Sequence, residues 1–192
     1  MKPITNNNVA LLFLCFSLCL SFLPSLTNGE SNLVAQACEK AKYKDICTSS
    51  LEAEHATKDA RDLATIALIA VKVATNNGSS TASYIKKILD NPKVTEPAVQ
   101  ETFDDCSDHY ISAMQQLDDA LEALVSKDYK DAKVWLGAAV TDASSCESDL
   151  KAGAGDEMEL NNKNSVFLKL CTNALDILNL LASNATPSTP SN

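Results

Sequence analysis

The stretch from Val99 to Leu150 constrains the fold more than any other part of this 192-residue chain. Val99, Phe103, Cys106, Tyr110, Ala113, Leu117, Ala120 and Leu124 follow one another at spacings of four and three. Past the polar step Ser126-Lys127-Asp128 the rhythm resumes with Ala132, Leu136, Ala139, Ala143, Cys146 and Leu150. A helix gathers such positions onto one stripe, so the pattern predicts two long amphipathic helices folded back on each other at the polar step. Cys106 and Cys146 each lie 20 residues from Ser126. In an antiparallel hairpin they come level, roughly 30 Å from the turn at about 1.5 Å per residue. That arithmetic predicts a Cys106–Cys146 disulfide clamping the open end.

The chain begins with Lys2, an apolar run from Val9 to Leu20, then Pro24 and small or polar residues up to Asn28-Gly29. Residues 1–29 therefore read as a secretory signal peptide. The run is short for a bilayer span, and no later segment is read as membrane-spanning. Removal of the signal takes Cys15 and Cys19 with it and leaves five cysteines in a secreted, disulfide-permissive setting. A mature chain starting at Glu30 keeps 15 basic and 25 acidic residues, a net charge of −10. That balance speaks against nucleic acid or an anionic membrane as partner and suits either solubility or a basic protein surface.

Residues 30–56 are expected to form an N-terminal helical hairpin stapled by Cys38 and Cys47, which flank the basic stretch Lys40-Ala41-Lys42-Tyr43-Lys44. The short loop suits a local disulfide, whereas a metal or redox pair would need a Cys-x-x-Cys or a histidine at ligand spacing. Residues 57–183 are expected to form an antiparallel four-helix bundle, making the fold all-α. The first bundle helix is expected to start near Thr57 or Asp59. Leu63, Ile66, Ala70 and Val73 line one face, and Ile85, Ile88 and Leu89 resume it. Between them Asn76-Asn77-Gly78-Ser79-Ser80 is either a bend or a weak spot within one long helix. Asn91-Pro92 ends that helix and Glu96-Pro97 opens the second. Asp128 caps the third, with Asp131 three residues on, and Asp156 to Glu159 restarts the chain as the fourth. That last helix carries Val166, Phe167, Leu170, Cys171, Ala174, Ile177, Leu178 and Leu181. Cys171 reads there as a buried free thiol behaving as a small hydrophobe. Residues 184–192 are expected to be a flexible tail.

No constellation for catalysis is present, and neither a metal nor a cofactor is expected. His55 and His109 are the only histidines, and neither has partners at ligand spacing. The sequence holds no Gly-x-Ser-x-Gly and no phosphate loop. The second bundle helix does place like charges one turn apart: Asp104 with Asp108, Asp105 with Asp108, Asp118 with Glu122. Each such pair costs about 0.2–0.5 kcal/mol in an isolated helix. Two readings stand side by side: a solubilising face, or carboxylates such as Asp104 and Asp108 that steer a basic partner. Asn77-Gly78-Ser79 and Asn184-Ala185-Thr186 are N-glycosylation sequons.

These features together resemble a known family. The Cys38/Cys47 pair, the Cys106/Cys146 pair across a helical hairpin, and the run from Asp128-Tyr129-Lys130-Asp131 through Trp135-Leu136-Gly137-Ala138-Ala139 are similar to the plant invertase and pectin methylesterase inhibitors. So are Leu168-Lys169-Leu170-Cys171 and Asp176-Ile177-Leu178-Asn179-Leu180-Leu181, and the match covers about Ser31 to Leu181. The resemblance implies a non-catalytic bundle whose cysteines pair first with second and third with fourth. It further implies a one-to-one complex with a carbohydrate-active enzyme of the cell wall or vacuole, formed by covering the substrate cleft. Invertase inhibitors of the family often carry Pro-Lys-Phe where this chain has Tyr129-Lys130-Asp131. Pectin methylesterase is therefore the expected target, acid invertase the alternative, and a secreted bundle without an enzyme target the third reading. On this resemblance the expected target-binding residues are Ser112, Gln115, Asp128, Tyr129 and Ser145, in an inhibitor secreted to the extracellular space of the cell wall.

Overall fold

The computed structural model describes residues 28–91, 96–153 and 158–185. The expected signal peptide thus lies almost wholly outside the described residues, and residues 186–192 of the tail lie outside them too. Six α-helices follow in order: α1 Asn28–Ala37, α2 Lys44–Glu52, α3 Leu63–Leu89, α4 Pro97–Val125, α5 Tyr129–Gly153 and α6 Met158–Ala185. A short 3-10 turn, His55–Asp59, leads from α2 into α3, and no strand occurs among the described residues. The long helices pack in a ring, α3 on α4, α4 on α5, α5 on α6 and α6 on α3. The α1/α2 hairpin rests on α3 and α6.

Every seam position named for α4 and α5 is buried except Val99, which packs on the core from its rim. Both disulfides form as the spacing predicts, Cys38–Cys47 and Cys106–Cys146. The turn between α4 and α5 also has a clear local cause. Lys127 sits at φ 59°, its amide donates to the Leu124 carbonyl, and the Asp128 amide reaches back to Ala123 at 2.8 Å. This is a Schellman ending with lysine at the left-handed position that usually takes glycine. Asp128 then starts α5, accepting the Asp131 amide on Oδ1 at 3.1 Å.

On three points the structure refines the sequence reading. The first bundle helix starts at Leu63, because Asp62 is the residue whose side chain accepts the Thr65 amide. Thr57 instead closes the 3-10 turn, donating its hydroxyl to the Leu51 carbonyl. Second, α3 is one continuous helix through Asn76–Ser80, since Ala74, Gly78, Thr81 and Ile85 carry its buried stripe across the polar patch. A Cβ on Gly78 would lie 2.7 Å from Met114 Sδ and 2.7 Å from the Phe167 ring, so only glycine lets α3 approach this closely. Third, α6 has the length and composition of a membrane-crossing helix over Met158–Asn184. Its apolar side is committed elsewhere: Leu160, Phe167, Cys171, Ala174, Ile177 and Leu178 are all buried in the bundle core.

A small polar network lies inside that core. The Tyr110 hydroxyl donates to Asn164 Oδ1 at 3.0 Å, and Asn164 Nδ2 donates to the Ala143 carbonyl at 3.0 Å. The Tyr110 ring stacks on Phe167 with centroids 4.9 Å apart. One network thereby ties α4, α5 and α6 together and fixes their register. Burial pushes the ionisation of Tyr110 and of the Cys171 thiol far up, so both stay neutral.

Candidate functional site

The α4/α5 hairpin is the most constrained part of the molecule. A disulfide closes one end, the capped Schellman turn closes the other, and a continuous apolar seam lies between. Outside the seam, helical spacing sorts the side chains into stripes. Asp104, Asp108, Ile111, Gln115, Asp118 and Glu122 run along the outer face of α4, each of them exposed. His109, Ser112 and Gln116 form the α4 edge toward α5, and Trp135, Ala138, Asp142, Ser145 and Asp149 form the facing edge of α5.

His109 shows that these two edges meet. Its Nδ1 lies 3.2 Å from Asp142 and its Nε2 lies 3.3 Å from Asp149, so the half-buried ring bridges two carboxylates on the neighbouring helix. The ring is thus a cross-brace of the hairpin rather than a group free for proton transfer. Gln116 donates to the Ser112 hydroxyl at 3.0 Å within the same edge. No group of three or more His, Cys, Asp or Glu side chains arranged to hold a metal occurs among the described residues.

The residues singled out from the sequence fall on this hairpin as follows. Gln115 and Asp128 are exposed, Ser112 and Ser145 are half-buried along the α4/α5 groove, and Tyr129 is partly buried against the core. Asp104 and Asp108 share the outer α4 stripe with Gln115. Asn184 is exposed at the end of α6, while Asn77 lies in the middle of α3 with its side-chain oxygen shielded from solvent.

Sequence reasoning passed over the apolar residues of the same face. Ile111 is 57 % exposed, Val134 61 % and Trp135 40 %, all on the α4/α5 hairpin. The signal was available: each falls off the seam at helical spacing, and an apolar residue off the seam faces water. Gly137 is a second such case. It sits in mid-helix, where glycine costs about 1 kcal/mol relative to alanine, yet nothing lies within 4 Å of where its Cβ would be. No neighbour inside the molecule requires it to be glycine.

The molecule is thus a disulfide-braced helical bundle whose α4/α5 hairpin exposes Ile111, Val134 and Trp135. Residues 32–177 match the family model "Plant invertase/pectin methylesterase inhibitor", and the chain belongs to that family of proteinaceous inhibitors. It is 32 % identical to a Platanus orientalis protein provisionally named an invertase inhibitor, over 88 % of this chain and 98 % of that one. It is 26 % identical to a pectinesterase inhibitor of Actinidia deliciosa, over 89 % of this chain and 90 % of the other. Among solved structures, a mutant form of a pectin methylesterase inhibitor from Arabidopsis is similar, with a TM-score of 0.67 and 25 % identity. That likeness covers 77 % of this chain and 95 % of the Arabidopsis protein.

Proposed function

We propose that the protein is a secreted inhibitor that binds plant pectin methylesterase one to one and covers its substrate cleft with the outer α4/α5 face. The observation that carries this reading is the exposure of Ile111, Val134 and Trp135 on the disulfide-locked α4/α5 hairpin, which also carries the uncrowded Gly137. Rigidity reduces the entropy lost on docking, and an exposed bulky aromatic such as Trp135 suits an anchor. Ser112, Gln115, Asp128, Tyr129 and Ser145 supply polar contacts from the same hairpin. Asp104 and Asp108, on the stripe that carries Gln115, steer a basic surface during approach, an effect that weakens as salt rises. The inhibitor works in the wall space after loss of residues 1–29, and Asn184 is the sequon a glycan occupies.

Acid invertase is the second reading, favoured by the provisional name of the Platanus orientalis relative. Against it stands the Asp128-Tyr129 start of α5, which lacks the Pro-Lys-Phe of many invertase inhibitors. Substitution tests the proposed face. Trp135→Ala and Tyr129→Ala are each expected to weaken esterase inhibition by about tenfold or more, about 1.4 kcal/mol of lost contact, with the helical circular dichroism unchanged. Full inhibition by both variants would place the contact elsewhere.

A further inference from the structure

On the opposite part of the fold, the loop between α1 and α2 meets α6 around an open cavity of about 400 Å³. Its lining is Lys42, Tyr43, Lys44, Asp45, Ile46 and Lys169. The Lys42 and Lys169 ammonium groups lie 5.3 and 5.8 Å from the centre of the Tyr43 ring, so two cations gather at one aromatic side chain. Among the described residues none of the three lysines forms an ion pair. That is unexpected in a chain of net charge −9, where carboxylates outnumber cations. Asp45 contributes to the wall, and one oxygen of Asp176 accepts the Lys42 backbone amide at 2.9 Å.

The cavity is also built rather than incidental. Asn173 is buried in α6 and gives its whole side-chain amide to one residue. Its Oδ1 accepts the Tyr43 amide at 3.0 Å, and its Nδ2 donates to the Tyr43 carbonyl at 3.0 Å. The Cys38–Cys47 disulfide closes the same loop from the other side. The Tyr43 backbone is therefore held in place before any ligand arrives, which lowers part of the ordering cost of binding.

The volume falls within the span of small-molecule pockets, about 300–1,000 Å³, and exceeds what a simple inorganic anion needs. The walls combine cations with the apolar surfaces of Tyr43 and Ile46, so the fitting ligand joins a carboxylate to an apolar ring face. We propose that this cavity binds a uronate unit of an acidic oligosaccharide. The identity of the sugar rests on the inhibitor reading above: de-esterification of pectin generates such carboxylates, and the site would hold the inhibitor on that product while the α4/α5 face stays free.

Calorimetric titration of the mature chain, without any esterase, tests this with trigalacturonate, its fully methyl-esterified counterpart and inorganic phosphate. Trigalacturonate is expected to bind, more weakly as salt rises, and the ester is expected not to. The Lys42→Met/Lys169→Met variant keeps the apolar stems and is expected to bind trigalacturonate about tenfold or more less tightly. No binding of trigalacturonate, equal binding of the ester, tighter binding of phosphate, or undiminished binding by the double variant would overturn the proposal. Esterase inhibition is assayed separately, so failure of uronate binding leaves the inhibitor reading standing, and loss of inhibition leaves uronate binding standing.

Discussion

Tyr110 and Asn164 are joined inside the bundle by a 3.0 Å hydrogen bond from the phenol of α4 to the side-chain oxygen of α6. Both residues are buried, and Asn164 passes the connection on to the Ala143 carbonyl of α5. Tyr110→Phe strands the Asn164 oxygen and is expected to cost about 1–3 kcal/mol in urea unfolding. Asn164→Leu removes the acceptor of the phenol and is expected to cost a similar amount, the Ala143 carbonyl keeping its intrahelical bond. The double variant should be less destabilised than the sum of the two, because the shared bond is lost only once. Strict additivity would mean that the pair is not coupled.

The two mid-helix glycines Gly78 and Gly137 should respond oppositely to alanine. At Gly78 the new methyl meets the Phe167 ring, which is fixed by its stack on Tyr110. Overpacking of about 1–3 kcal/mol is expected there, set against a helix-propensity gain of about 1 kcal/mol. At Gly137 only the gain remains, so Gly137→Ala should stabilise the chain by about 1 kcal/mol. The proposed docking face adds that the same substitution weakens esterase inhibition. Thermal unfolding and an inhibition curve on one variant read both effects, and a stabilised variant with undiminished inhibition would remove Gly137 from the contact.

Asp62 couples the start of α3 to pH. The amide and then the hydroxyl of Thr65 hold its carboxyl below the ordinary value of 3.8. Because the folded value is the lower one, the cap contributes fully above about pH 4 and is lost as pH falls through the folded value. Asp62→Ala should cost about 0.5–2 kcal/mol at neutral pH. Asp62→Asn should retain most of the cap and flatten the acid limb of the stability curve. An unchanged acid limb in Asp62→Asn would assign the pH dependence to other carboxylates.

Cys171 should be chemically silent in the native protein. It is buried, and desolvation holds the thiol in its neutral form. A maleimide reagent at pH 8 is expected to leave the folded chain unlabelled and to add once in denaturant without reductant, the other four mature cysteines being paired. Rapid native labelling would contradict the burial. Labelling at more than one site in denaturant would contradict the pairing.

Much of this architecture could be read from periodicity. The Phe103–Leu124 and Ala132–Leu150 seams lay open because every position of the four-and-three rhythm is apolar and buried, even though a few residues between them, such as Ile111, Val134 and Trp135, are apolar as well. The α3 seam was obscured where it passes through Gly78 and Thr81, since burial there is achieved by small size rather than by hydrophobicity. Asp62 was overlooked beside Thr57 and Asp59 because both residue types cap helices and only the fold selects one position. The Lys42/Tyr43/Lys169 cavity depends on a contact between residues about 130 positions apart, held by Asn173. Local pattern carries no trace of it.

The central claim is that this bundle blocks a pectin methylesterase. Titrating a fixed amount of purified plant pectin methylesterase with the mature protein, in parallel with an acid invertase, tests it most directly. Esterase activity is expected to fall along a one-to-one binding curve while invertase activity is unchanged. Potent inhibition of the invertase, with several plant esterases left fully active, would contradict it.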